Sequence, residues 1–211
     1  EYNSDTWVAY MARLNDVNGI KFYGCSFENS QGKWGEGISA LESGFVVNEY
    51  CASSSVPCNP LDLVPATFTN FAWGIRVNNS GNKTVSIIDA TFNHNSYGIK
   101  LTDVNNATIL SNEFNIAEAS ADDQDQCGDR ASGYGIWMDN CSGFAIEENH
   151  FTKAAGAPTG LYTGIYVNNT QAADEIYKNY FDGLSYGNYA VGKNWEGINT
   201  WEGLAYYCNE N

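Results

Sequence analysis

Basic residues are scarce in this sequence. Its 211 residues include 10 Lys and Arg against 25 Asp and Glu, which gives a net charge of −15. Nucleic acids and anionic membrane surfaces both select clustered Lys and Arg, so this balance argues against either as a partner. No apolar run approaches the roughly 18 residues of a membrane-spanning helix. We therefore expect no membrane span.

Residues for nucleophilic or zinc chemistry are also few. His94 and His150 are the two histidines, and neither is accompanied by a recognisable nucleophile elbow, which argues against a catalytic triad. No close pair of Cys and His residues stands at ligand spacing with a second pair, which argues against zinc. A glycosidase needs two carboxyl groups about 5 to 9.5 Å apart. The pairs considered for that role are Glu147 with Glu148, and Glu196 with Glu202.

What the sequence does contain is a repeat. The stretch YGIKLTDVNNATILSNEF, from Tyr97 to Phe114, recurs as YGIWMDNCSGFAIEENHF from Tyr134 to Phe151 and as YMARLNDVNGIKFYGCSF from Tyr10 to Phe27. Each copy begins with an aromatic residue and ends on an apolar-x-x-small-x-Phe run. Uninterrupted units are about 22 to 24 residues long, and a period of that size indicates a stacked solenoid.

The repeat predicts an all-β fold. Its apolar segments are short, β-branched or aromatic, and bounded by Asn, Asp and Gly. No long stretch shows a 3.6-residue apolar stripe. A leucine-rich repeat has a similar unit length and is the alternative, although Ile, Val and Phe outnumber Leu here. We predict a parallel β-helix of about seven coils, formed by one domain over residues 1–211, with insertions near 48–65, 116–132 and 194–201.

Equivalent residues of successive coils are expected to lie about one strand spacing, ~4.8 Å, apart. An internal aromatic stack then contains Phe27, Phe68, Phe92, Phe114, Phe151 and Phe181. An amide ladder contains Asn112, Asn149, Asn179 and Asn209, whose place is taken in the first three coils by Cys25, Ala66 and Ala90. Cys141 aligns with Val17 and Val104, and is expected to be a buried thiol that acts as a small hydrophobe.

With its aromatic-Gly-Ile openings and its Asn and Phe ladders, the chain resembles the right-handed parallel β-helix repeat proteins, which include pectate lyases, polygalacturonases, tailspikes and adhesins. The phrases LTDVNNATILSNEF, IYKNYFDGLSYGNYAVGKN and GLAYYCNEN are similar to large secreted proteins of Bacteroidota that carry a C-terminal sorting domain. The resemblance implies a right-handed β-helix that is secreted or attached to the cell surface. It assigns no catalytic residue, because fold does not determine function.

One column of outward residues is the main candidate site. In each Gly-Ile-x-apolar segment the residue between the two apolar positions points outward. Read down the coils, these residues are Arg13, Arg76, Lys100, Trp137 and Tyr166. Rings stack on sugar faces, and Arg or Lys binds carboxylates, so the column suits a polysaccharide or a protein partner. The alternatives are a solvated face, and a lyase in which Arg76 or Lys100 removes a proton.

A second candidate lies in the acidic insertion. The alternation in Asp123-Gln-Asp125-Gln-Cys127-Gly128 resembles the start of a calcium loop, but Cys occupies the fifth position and Tyr134 the twelfth. The oxygen ligands proposed for this metal site are Asp122, Asp123, Asp125 and Asp129. The alternative is a solvated loop and no cofactor. In the other long insertion, Cys51 and Cys58 are the expected disulfide, which suits an oxidising compartment.

The combined prediction is a secreted or cell-surface module that is structural, adhesive or ligand-binding and does not catalyse a reaction. A polysaccharide lyase or glycoside hydrolase acting on the same face is the competing hypothesis, and a passive spacer is the third. The sequence has neither an initiating Met nor a signal peptide, so we expect a segment of a longer chain. Because solenoid ends expose strand edges, we also expect further domains or a partner to cover the C-terminal end.

Overall fold

Three parallel sheets form the sides of a right-handed β-helix in the computed structural model of the protein. The structure describes residues 10–30, 32, 34–117, 132–170, 172–195 and 203–210. The first six coils each contribute one strand in turn to sheets A, B and C, and the described part of the seventh contributes strands to sheets A and B, so neighbours within a sheet come from successive coils. The all-β parallel solenoid is confirmed, and no helical return segment of a leucine-rich repeat occurs in these residues.

Within these ranges sheet A has seven strands, one per coil: Tyr10–Asn15, Glu36–Leu41, Trp73–Asn78, Tyr97–Thr102, Ser132–Asp139, Leu161–Asn168 and Tyr186–Val191. Sheet B also has seven: Ile20–Tyr23, Phe45–Asn48, Val85–Ile88, Ala107–Leu110, Ala145–Glu147, Glu175–Tyr177 and Ala205–Tyr207. Sheet C has six in the described residues: Ser26–Glu28, Ala66–Thr69, Ala90–Asn95, Glu113–Ile116, His150–Lys153 and Tyr180–Asp182.

The aromatic stack runs through the interior as expected. Phe92 and Phe114 have ring centroids 4.7 Å apart and planes 5° from parallel, and the Phe114–Phe151 pair is similar at 4.6 Å and 9°. The remaining pairs of the stack have centroid distances of 4.8 to 5.1 Å. These rings are buried, and isoleucines from sheets A and B complete the core around them. Burial of repeated apolar residues therefore fixes the register of the coils.

The amide ladder is confirmed in the last four coils. Asn112 Nδ2 donates to Asn149 Oδ1 at 2.9 Å, Asn149 Nδ2 donates to Asn179 Oδ1 at 2.9 Å, and Asn179 Nδ2 donates to Asn209 Oδ1 at 3.1 Å. Backbone N–H groups of Asn112, Asn149 and Asn179 donate to the same oxygens. Each of these amide oxygens therefore accepts hydrogen bonds from a backbone N–H group at a tight bend and from the neighbouring amide of the ladder.

Sharp bends separate the sheets, and polar residues supply their left-handed backbone conformations. The bend between sheets A and B has the same conformation in six successive coils, at Asp16, Glu42, Asn79, Asp103, Asn140 and Asn169. Glycine is needed near the start of the sheet A strands of coils two to six, because a Cβ at Gly135, for example, would lie 2.7 Å from the Gly164 carbonyl oxygen and against the Phe151 ring. The recurrent aromatic-Gly pair thus marks a close approach of sheet A to the phenylalanine stack.

The insertion between the sheet B and sheet C strands of the second coil forms a small hairpin. Tyr50–Cys51 pairs antiparallel with Leu63–Val64, and a 3-10 helix, Pro60–Asp62, lies between them with Asn59 as its N-cap. The expected disulfide joins Cys51 to Cys58. Cys141 is buried as expected. No helix in the described ranges is long and apolar enough to cross a membrane.

Candidate functional site

The five predicted column residues lie in one register on the outer face of sheet A. Arg76 pairs with Lys100, Lys100 with Trp137, and Trp137 with Tyr166 in adjacent strands. The structure adds two members to this column, which from coil one to coil seven reads Arg13, Ser39, Arg76, Lys100, Trp137, Tyr166 and Tyr189. We call it the second column.

A first column runs beside it and consists of the residues that lie three positions before the second column in each sheet A strand. In coil order it reads Tyr10, Glu36, Trp73, Tyr97, Tyr134, Thr163 and Tyr186. Its aromatic members mark the repeat in the sequence, but they were not predicted to belong to the site. The signal that identifies them is the Gly that follows most of them, because the close approach at that Gly leaves the preceding side chain directed outward. The two columns together are called the sheet A platform.

In the first coils of the platform, basic groups lie over aromatic rings. The Arg76 guanidinium carbon is 5.0 Å from the Trp73 ring centroid, and Lys100 Nζ is 5.3 Å from that of Tyr97. Arg13 lies 5.2 Å from the Tyr10 ring and also donates a hydrogen bond of 3.1 Å to the Tyr10 hydroxyl. Cation–π contacts hold a basic group in place without cancelling its charge.

Glu36 is the one carboxylate in the two columns, and it is buried beside Arg76. Its Oε1 lies 2.5 Å from Arg76 Nη2, and its side chain is 7% exposed against 34% for Arg76. A buried, paired carboxylate of this kind fixes the orientation of the guanidinium. Glu36 Oε2, Arg76 Nε and Trp73 Nε1 have no hydrogen-bond partner in the described part of the chain. This region therefore retains unmet hydrogen-bonding capacity.

In the later coils of the platform, aromatic residues contact one another. Trp137 and Tyr166 are stacked with centroids 3.8 Å apart, and Tyr134 meets the Trp137 ring edge-on at 4.8 Å. Tyr186 and Tyr189 are stacked at 5.2 Å, and they are 44% and 45% exposed. These contacts form an ordered surface that presents ring edges and hydroxyl groups along the rod.

The other residues considered for chemistry are separated in space. His150 is on the outer face of sheet C, where its Nδ1 lies 3.0 Å from Glu113 Oε2, while His94 has a left-handed backbone conformation at the irregularity near the end of the sheet C strand Ala90–Asn95. Glu148 is also at a bend, so it does not face Glu147 as an acid/base pair. The calcium candidates Asp122, Asp123, Asp125 and Asp129 lie outside the described residues, as do Glu196 and Glu202. The calcium site stays a prediction.

Comparison with known proteins gives one family. A family model described as "Periplasmic copper-binding protein (NosD)" matches residues 59–209. No curated protein and no solved structure matches.

Copper in proteins is held by His, Cys and Met side chains, so the described residues can be tested for such a site. They contain no group of three or more His, Cys, Asp and Glu residues placed to hold a metal ion. Burial raises the pKa of the Cys141 thiol to about 12, and a thiol must lose its proton to bind a metal. The His, Cys, Asp and Glu residues that the structure describes therefore do not fit a copper site.

Proposed function

The chain belongs to the NosD family of parallel β-helix proteins, and on that basis we propose that it is a non-catalytic, extracytoplasmic module that binds a polysaccharide or protein partner through the sheet A platform. The family description supports the location, since it names a periplasmic protein. The Cys51–Cys58 disulfide supports it independently, because structural disulfides persist in oxidising compartments. A secreted or cell-surface position is the finer form of this proposal.

The observation that carries the proposal is the continuity of the platform. Its two columns keep one register through all seven coils, from Tyr10 and Arg13 to Tyr186 and Tyr189. A flat face of this kind suits an extended ligand that contacts several coils at once, because many weak contacts add when their geometry allows simultaneous engagement. Aromatic and Arg side chains are also the types enriched where proteins bind partners.

The contacts of the residues considered as catalysts support binding over catalysis. Arg76, the first candidate for a proton-abstracting group, is paired with the buried Glu36. His150 is paired with Glu113, and both residues lie on sheet C, away from the platform. A lyase or hydrolase on the same face is the alternative. New unsaturated sugar ends after incubation with uronate polymers would establish a lyase, and new reducing ends without them would establish a hydrolase.

The test compares two tyrosines of similar exposure on different faces. Tyr189 on the platform is 45% exposed, and Tyr207 on the outer face of sheet B is 51% exposed. We expect Tyr189→Ala to weaken binding to a panel of acidic and neutral polysaccharides by about three- to tenfold, the worth of one aromatic contact. Tyr207→Ala should leave the affinity unchanged. Equal effects of the two substitutions, or no binding by the unmodified protein, would contradict the proposal for a polysaccharide.

A protein partner is tested with the same pair of variants. If no polysaccharide binds, cross-linking of a residue introduced at Ser39, in the middle of the platform, should capture a partner that Tyr189→Ala releases and Tyr207→Ala retains. If the partner were captured equally well by both variants, a role for the platform in binding it would be contradicted.

A further inference from the structure

The chemistry of the platform changes along the rod. In the second column, the basic residues Arg13, Arg76 and Lys100 all lie in the first four coils. The last three coils carry the aromatic residues Trp137, Tyr166 and Tyr189. The first column is aromatic in both parts apart from Glu36 and Thr163. One end of the platform is therefore cationic and the other is neutral and aromatic.

This basic row is unusual in so acidic a chain. Three of the 10 Lys and Arg residues align on one face of a protein whose net charge is −15. An acidic body repels small anions in general, so a local basic row selects an anion that can contact several of its members together. Arg13 has the ring and hydroxyl of Tyr10 as partners and no carboxylate among the described residues.

The groups near Arg76 indicate what else the anion must offer. Glu36 Oε2 accepts hydrogen bonds, whereas Trp73 Nε1 and Arg76 Nε donate them, and all three are buried atoms without partners among the described residues. A hydroxyl group both donates and accepts. A polyhydroxylated chain with carboxylates therefore matches this part of the platform better than a polyphosphate, which offers acceptors alone.

From these observations, and resting on the proposed function, we propose that the ligand is a carboxylated polysaccharide that lies along the rod axis. Its carboxylates contact the basic row of the first four coils, and its uncharged sugar rings lie beside the aromatic residues of the last three. The buried Glu36 is a positioning residue, which holds the Arg76 guanidinium toward the ligand. The aromatic end contributes affinity irrespective of charge, and the basic end selects the acid.

The experiment uses matched polymers that differ in charge. Binding is measured for carboxymethylcellulose against hydroxyethylcellulose, for alginate against its neutral ester, and for polygalacturonate against its methyl ester. In at least one pair we expect the acid to bind about tenfold tighter at low ionic strength, the worth of one charge-assisted contact. The ratio of the affinities for the acid and for the neutral polymer should fall toward one as added salt screens the exposed charges.

Two double variants with the same charge change locate the effect. Arg13→Gln/Lys100→Gln removes two basic groups from the platform, while Lys21→Gln/Lys153→Gln removes two that also lie over rings, at 5.9 Å from Tyr23 and 4.9 Å from Tyr162, on other faces. The first should abolish the preference for the acid. The second should retain the preference.

The contribution of the Glu36–Arg76 pair is tested in a variant that keeps a neutral hydrogen-bonding pair, Glu36→Gln/Arg76→Gln, so that no buried charge is left unpaired. It should fold and show a smaller preference for the acid, and an unchanged preference would contradict a contact of Arg76 with the ligand.

The outcomes separate the two proposals. Equal affinity for acid and neutral polymers overturns the present inference and leaves the proposed function standing. Equal loss of preference in the platform and control double variants overturns it as well, as does tighter binding of polyphosphate than of any acidic polysaccharide. Binding of neither member in every pair contradicts both the inference and polysaccharide binding as the function.

Discussion

The interior of the β-helix and its sheet A platform share one register but use it differently. Inside, the same residue type recurs from coil to coil, with Phe over Phe and Asn over Asn. On the platform, the same positions hold Arg, Lys, Trp, Tyr, Glu and Thr in turn. Like stacks on like where packing and hydrogen bonding set the coil geometry. Variation at a position whose geometry is constant indicates that something other than folding determines the residue.

The largest effect is expected inside, at the centre of the amide ladder. Asn149 Oδ1 accepts both N–H groups of Asn112, and its Nδ2 donates to the Ile109 carbonyl oxygen and to Asn179. Replacement by Leu leaves several buried polar groups without partners, at about 1–3 kcal/mol each. We expect Asn149→Leu to lower the free energy of unfolding by roughly 4 kcal/mol, measured by denaturant titration.

The matched control for this substitution is on the outside. Asn115 also bonds to neighbours in adjacent coils, donating to Asn93 and accepting from Thr152, but it lies on the half-buried outer face of sheet C. Asn115→Leu should cost less than about 1 kcal/mol, because water can replace the lost partners. Similar costs at the two positions would mean that the ladder contributes no more than an exterior contact.

The second prediction concerns the glycine that lets sheet A approach the core. A Cβ at Gly135 would meet the Gly164 carbonyl oxygen at 2.7 Å and the buried Phe151 ring, neither of which can move freely. We expect Gly135→Ala to lower the free energy of unfolding by about 3 kcal/mol through overpacking. A Cβ at Gly81 would have no atom within 4 Å, and the φ there is +58°, so Gly81→Ala should cost about 1 kcal/mol from backbone strain alone. A larger cost for Gly81→Ala than for Gly135→Ala would contradict the inference that the aromatic-Gly pair marks a close approach to the core.

A smaller effect is expected on the platform, where the Trp137–Tyr166 stack has a centroid distance of 3.8 Å. A double-mutant cycle with Trp137→Ala and Tyr166→Ala should give a coupling free energy of about 0.5–1.5 kcal/mol, the range of an aromatic pair. A coupling as large as the cost of Asn149→Leu would make the platform a structural feature comparable to the interior. A value in the expected range leaves these residues available for a ligand.

The same contrast explains which features the sequence could predict. Coil number, the phenylalanine stack, the amide ladder and the second column all follow from residues that recur at a constant spacing, so the pattern alone was sufficient. Glu36 and its contact with Arg76 were missed, because Glu36 stands where most other coils have an aromatic residue and its burial depends on neighbours in three dimensions. The first column was missed for a related reason. The alternation of inward and outward side chains along the strand is interrupted at the Gly. The outward direction of the first-column side chains could therefore not be predicted from a period of two.

The smallest effect on stability is expected from the titration of two aspartates, whose contributions to stability should change in opposite directions as the pH rises. Asp174 is buried, its Oδ1 accepts the Phe144 N–H at 3.0 Å, and its Oδ2 has no partner among the described residues. Burial raises the pKa of Asp174 above its usual 3.8. Its contribution to stability is therefore fully present below pH 3.8 and lost as the pH rises through the raised value. The stability of Asp174→Asn relative to the unmodified protein should increase from pH 3 to pH 7.

Asp16 provides the opposite case on the outside of the rod. A hydrogen bond from Lys83, whose Nζ lies 2.6 Å from Asp16 Oδ1, lowers the pKa of this carboxyl group. Its contribution is present above pH 3.8 and is lost as the pH falls through the lowered value. Asp16→Asn should thus become relatively less stable from pH 3 to pH 7, and the dependence should fade in high salt because the pair is exposed. Thermal unfolding across this range measures both slopes. Slopes of the same sign would mean that burial does not govern the pKa of Asp174, and that this buried site accepts a charge as readily as the surface does.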